Sequence, residues 1–99
     1  MPDTTGAPNA PSHLTEESRT LWAKLLDSFA LEDHERDMLR VTLEARDRAN
    51  QARDLLDADG LTYVNRFGDP HVRPEVKVEH DARRLYLAGM RQLSLPEEA

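Results

Sequence analysis

The chain has 99 residues, 38% of them apolar and 32% charged, and carries a formal net charge of −6. That length fits one thin-cored domain, and the acid excess argues against a stand-alone, high-affinity binder of duplex DNA. With no cysteine there is no disulfide framework, thiolate zinc site or cysteine nucleophile, and no apolar run nears the roughly 20 residues that span a bilayer.

Residues 1–13, rich in Pro, Gly, Thr and Asn, read as a flexible tail. They hold neither a basic n-region nor an apolar h-region, so a cytoplasmic chain without a signal peptide is expected. Thr15 is placed to cap a first helix running to about Phe29, with Glu16 and Glu17 favoured in its first turn by the helix dipole. Leu21, Trp22, Leu25, Leu26 and Phe29 share one face of that helix, as core residues do. Leu14 is placed to staple the cap.

After a short connection at Ala30 to Glu32, Asp33 is expected to cap a second helix extending to about Asp57, roughly 37 Å long. Met38, Thr42, Ala45, Ala49, Ala52 and Leu56 form a heptad seam along it. Leu39 and Leu43 lie to one side of the seam, Val41 and Leu55 to the other. So broad an apolar surface calls for more than one partner. The three alanines suit close approach of a helix, either within the chain as a helical hairpin or from another subunit. Arg36, Arg40, Glu44, Asp47, Arg48, Gln51 and Asp54 make the expected solvated face, with i,i+4 pairing of Arg40 with Glu44 and of Glu44 with Arg48.

Gly60 ends this helix. Leu61 to Val64 reads as a strand, Asn65 to Asp69 as a turn with Gly68 at positive φ, and Pro70 to Arg73 as the returning strand. A lone hairpin is marginal, so it must lean on the helices or on another subunit. Pro74 opens a third helix to about Leu93, with Val78, Ala82, Leu85, Tyr86, Gly89 and Leu93 as its apolar face.

Signs of catalysis are few. His34-Glu35-Arg36-Asp37-Met38 begins like a zincin helix but has Met where the second His belongs. His71, Glu75, Glu79 and His80 gather near a helix start, a common arrangement without metal. No enzyme activity, cofactor or metal is expected. Charge is unevenly spread: net −6 up to Gly60 and net +2 from Leu61 to Leu93. Lys77, Arg84 and Arg91 fall on one stripe of the third helix with Arg73 at its amino-terminal end. Such a stripe suits phosphates or an acidic protein surface, or simply solvent. Leu87, among the basic residues, favours a covered surface.

From Pro11 onward the chain resembles the phage terminase small subunit family. The resemblance is carried by PSHLTEESRTLW, by the long Ala- and Arg-containing second helix, and by GLTYVNRFGDPHVRPEVKVEHDARRLYLAGMRQLSL. Its marks are the Gly-Leu strand, the Gly-containing turn, the return Pro70-His71-Val72-Arg73-Pro74 and the segment Arg91-Gln92-Leu93-Ser94-Leu95. It implies a non-catalytic subunit that oligomerises, usually as a ring, engages double-stranded viral DNA and regulates the large terminase subunit, which holds the ATPase and nuclease. The expected fold is mostly α: an antiparallel helical hairpin, a short β-hairpin and a C-terminal helix, assembling as an oligomer. Residues 14–95 form the domain, and 96–99 an acidic tail. Arg73, Lys77, Arg84 and Arg91 are the expected DNA or partner contacts; Ala45, Ala49, Ala52 and Leu87 the expected oligomer interface. The alternatives are a helical DNA-binding regulator and an oligomeric interaction module without nucleic acid.

Overall fold

The computed structural model describes residues 10–93. Residues 1–9 of the expected amino-terminal tail, Ser94 and Leu95 of the terminal motif, and the expected acidic tail 96–99 lie outside the described residues. Three helices and one antiparallel hairpin follow in order: α1 (Glu16–Ser28), α2 (Asp33–Asp59), β1 (Thr62–Val64), β2 (Pro70–Val72) and α3 (Pro74–Gln92). The protein is mostly α, as its periodicities require.

Each boundary has a local cause. Thr15 caps α1, its hydroxyl accepting from the Ser18 N–H at 3.2 Å. At α2 the cap moves one residue earlier than expected: Glu32 is the N-cap and Asp33 is already helical. The Glu35 carboxylate accepts from the Glu32 N–H at 2.9 Å, the reaching-back half of a capping box. α2 ends where Gly60 turns to φ 86°, a conformation costly for other residues. Pro74 is the first residue of α3, where its missing N–H costs nothing.

α2 and α3 pack antiparallel along most of α3, while α1 crosses α2 over a shorter contact. The alanine seam belongs to this intramolecular packing. Ala45, Ala49 and Ala52 are at most 2% exposed, and Gly89 comes so close to Thr42 that a Cβ there would stand 2.0 Å from the Thr42 hydroxyl. Small residues on both helices are what permit this approach. A continuous core joins Leu14, Trp22 and Leu25 to Leu39, Leu43, Tyr86, Met90 and Leu93, with Ala10 and Leu87 packed against it. Residues 10–13, expected as tail, therefore belong in part to the folded body.

The hairpin does not lean on the helices. β1 and β2 pair with Tyr63 opposite His71, and every residue of both strands is exposed. The described residues extend 57 Å by 30 Å by 22 Å, with a radius of gyration of 16.6 Å, against about 13 Å for a compact domain of this size. The length comes from a long helix pair that carries the hairpin on its end.

Candidate assembly and nucleic-acid interface

Three surfaces of the protein could engage a partner: the projecting hairpin, the flank of the α2–α3 pair that α1 leaves bare, and the basic stripe of α3.

The hairpin is a projecting arm with a hydrogen-bonded turn. Its turn is held by Asn65, whose side-chain oxygen accepts from the N–H groups of Phe67 and Asp69, both at 2.9 Å. Backbone bonds from Asn65 N–H to Asp69 and from Gly68 N–H to Asn65 close it. Gly68 takes φ 85°, as its place in the turn demands. This lock presents Phe67 at the tip, 73% exposed, with the Arg66 guanidinium 4.9 Å from its ring centroid. On one face Tyr63 stacks on His71 at 5.6 Å, and the Arg73 guanidinium lies 5.7 Å from the Tyr63 centroid. Val64 and Val72 are exposed as well. Exposed apolar groups in this number, on an element marginal by itself, make the hairpin a candidate interaction surface.

The bare flank arises because α1 covers only one side of α2. Asp47 fixes that side. It accepts from the Thr15 N–H at 2.9 Å, the Thr15 hydroxyl at 2.8 Å and the Ser18 hydroxyl at 2.5 Å, and Asp47 is only 8% exposed. The sequence reading put Asp47 on the solvated face; α1 lands there and buries it. Opposite, Val41, Leu55, Val78 and Leu85 stay exposed. Val78 and Leu85 were expected in the apolar face of α3, but they point past α2 rather than at it. Val41 and Leu85 line a groove of about 530 Å³ together with Met38 and Ala88, with Asp37, Glu44 and Arg48 also along it.

Glu44 stays ionised there. Burial, the largest single influence, pushes its carboxyl up. Hydrogen bonds from His13 and Arg40, with the Coulombic pull of both, outweigh burial and hold it below the ordinary carboxylate range. His13 reaches it at 2.6 Å and Arg40 at 2.9 Å. The Arg40 pair is the expected one; its other partner is His13, where Arg48 was expected.

The basic stripe is interrupted. Lys77 pairs with Asp81 at 2.6 Å, and that hydrogen bond lowers the Asp81 carboxyl. Arg84 is exposed, and Arg91, exposed too, lines the same shallow surface with Asp81 and Ala88. Arg73 turns away to cover Tyr63, its Nε buried without a hydrogen-bond partner. Of the four expected contacts, Lys77, Arg84 and Arg91 share the outer face of α3, and Arg73 belongs to the root of the hairpin.

The residues expected at an oligomer interface stand differently. Ala45, Ala49 and Ala52 are enclosed by the chain's own helices and offer nothing to a second chain. Leu87, expected as an apolar residue within the stripe, is half-buried: it packs against the core while still lining the surface of Arg84 and Arg91. The large apolar groups left exposed among the described residues are Val41, Leu55, Val78 and Leu85 on α2 and α3, Leu61, Tyr63, Val64, Phe67 and Val72 in and beside the hairpin, and Phe29 just after α1, where it was expected to face the core. Phe67 as an exposed tip was not foreseen; an aromatic residue just before a turn glycine was the available signal. The four residues drawn near a helix start do not converge. His71 stacks on Tyr63 and bonds Asn65 at 3.0 Å, and Glu79 pairs with Arg83 and Arg53.

Comparison with protein-family models, with curated proteins and with solved structures found no match.

Proposed function

We propose that the protein is a non-catalytic small subunit of a phage terminase: it self-assembles, engages viral DNA, and regulates the large subunit's ATPase and nuclease during genome packaging. The observation that carries this reading is the hairpin. An arm between two antiparallel helices, its apolar side chains uncovered in the single chain, is an element whose stability calls for another surface. Its strand, turn glycine and Pro-x-Val-x-Pro return are also the residues on which the family resemblance rests. The stripe of Lys77, Arg84 and Arg91 supplies a track for phosphates. Each site is weak alone, but an assembly repeats it, and avidity multiplies weak contacts.

Fluorescence anisotropy with a labelled duplex tests the DNA part. Wild-type binding is expected to fall steeply as salt rises, since each neutralised phosphate releases counterions. Changing Lys77, Arg84 and Arg91 together to Glu is expected to abolish it while leaving the assembly mass unchanged. A triple variant with the wild-type affinity and salt slope removes the stripe from the account.

The second reading is an interaction module that assembles without nucleic acid. The Lys77–Asp81 pair, which cancels one charge of the stripe, favours it, as does the net charge of −6. An assembled wild-type protein that binds no DNA at low salt would select this reading.

A further inference from the structure

Asn65 and His71 hold the turn of the hairpin between them, and the bonding fixes which atoms donate. The Asn65 side-chain oxygen accepts from the N–H groups of Phe67 and Asp69, both at 2.9 Å. Its amide nitrogen, the other end of the same group, then faces His71 Nε2 at 3.0 Å. An amide nitrogen only donates, so Nε2 must accept and the ring proton must sit on Nδ1. Turning the amide over would set its NH2 group against two backbone N–H donors, losing two bonds to gain one. The turn therefore dictates the tautomer of the ring.

We infer that His71 is a proton-operated latch on the turn of the hairpin. Protonated imidazole donates from both nitrogens, so neither orientation of the ring offers Asn65 an acceptor. Donor then meets donor at the Asn65–His71 contact, and the side chain that closes the turn loses its anchor. No helix covers the strands, so the other neighbours of His71 are few. Tyr63 stacks on it at 5.6 Å and already carries the Arg73 guanidinium 5.7 Å from its centroid. An imidazolium would be a second cation beside that ring, repelled by the first. Asp69, two residues before His71, draws the imidazolium the other way, but the two form no ion pair. The Asn65–His71 bond is exposed and its loss costs little; a two-stranded hairpin, however, has little to spare. The arm carries Tyr63, Val64, Phe67 and Val72, so it presents that surface in neutral solution and slackens in acid.

Nuclear magnetic resonance of the full, isotope-labelled chain tests the latch. At about pH 8 the His71 ring nitrogens are expected to show the Nδ1–H tautomer. Between about pH 8 and about pH 5, where imidazole changes charge, the Phe67 and Asp69 amides are expected to lose several-fold in hydrogen-exchange protection, taken relative to free-peptide rates at each pH. His71→Gln keeps a side-chain acceptor that does not titrate, so its protection is expected to be the same at both ends of the interval. His71→Phe keeps a ring beside Tyr63 without the acceptor and is expected to show the acid level of protection throughout. An Nε2–H tautomer overturns the inference. So does a wild type whose protection holds in acid, and so does a His71→Gln chain that loses protection in acid as the wild type does, which assigns the change to another group. Where His71→Gln fails to form the turn at any pH, the tautomer and titration of the wild type decide alone.

Discussion

Single side chains decide how the first helix sits on the rest. Asp47 gathers one backbone and two hydroxyl donors from Thr15 and Ser18, in a place almost closed to water. Arg46 adds a bond to the same Ser18 hydroxyl at 3.3 Å. Asp47→Ala removes the acceptor of the fully buried Ser18 hydroxyl and of the Thr15 N–H and hydroxyl. Its expected cost is about 2–3 kcal/mol, since hydrogen bonds to a charged group contribute most and unpaired buried groups are penalised. Urea unfolding measures it, and a loss no larger than that of an ordinary surface substitution would mean that Asp47 is not the anchor. Glu44 gives a pH dependence. Its folded carboxyl lies below the ordinary value, so the stability it contributes is fully present above the unfolded pKa and is lost as pH falls through the folded one. Glu44→Gln should therefore lower stability at neutral pH and flatten the acid limb, so that the variant and the wild type converge as the pH falls through the folded value. An acid limb identical to wild type contradicts that assignment.

At the scale of elements, the hairpin and the helix pair behave as separate parts. Gly68→Val forces a β-branched residue to φ 85°, where it is a genuine outlier. Because the arm touches little of the core, the thermal transition of the helices should move little, while the assembly mass should drop. A variant that assembles and melts as wild type does would show that the turn tolerates the residue or that the arm is idle. The elements were legible in the sequence because each carries its own signal: the Thr15 cap, the heptad of α2, the Gly60 and Gly68 turns, Pro74 at the start of α3. Their mutual arrangement was less legible. A heptad shows which residues form a seam but not whose helix fills it, so Ala45, Ala49 and Ala52 could be read as an interface between chains until α3 was found over them. Asp47 looked solvated because helical spacing alone cannot say where α1 crosses. Leu87 and Leu85 exchanged roles for the same reason: a small rotation of α3 turns one toward the core and the other out.

At the scale of the whole molecule, an elongated chain with a thin core keeps its apolar excess at two separated places, the arm and the flank away from α1. The charge is also divided, acidic up to the end of α2 and basic from Leu61 to Leu93. Such a division favours side-by-side packing in which unlike surfaces meet. It also places the cations where a repeated assembly would line them up for a polyanion. Self-assembly is the claim on which the genome-packaging reading and the avidity argument both depend. Light scattering on the wild-type chain at tens of micromolar tests it most directly: the account predicts a mass of several chains, and a mass of one chain would contradict it.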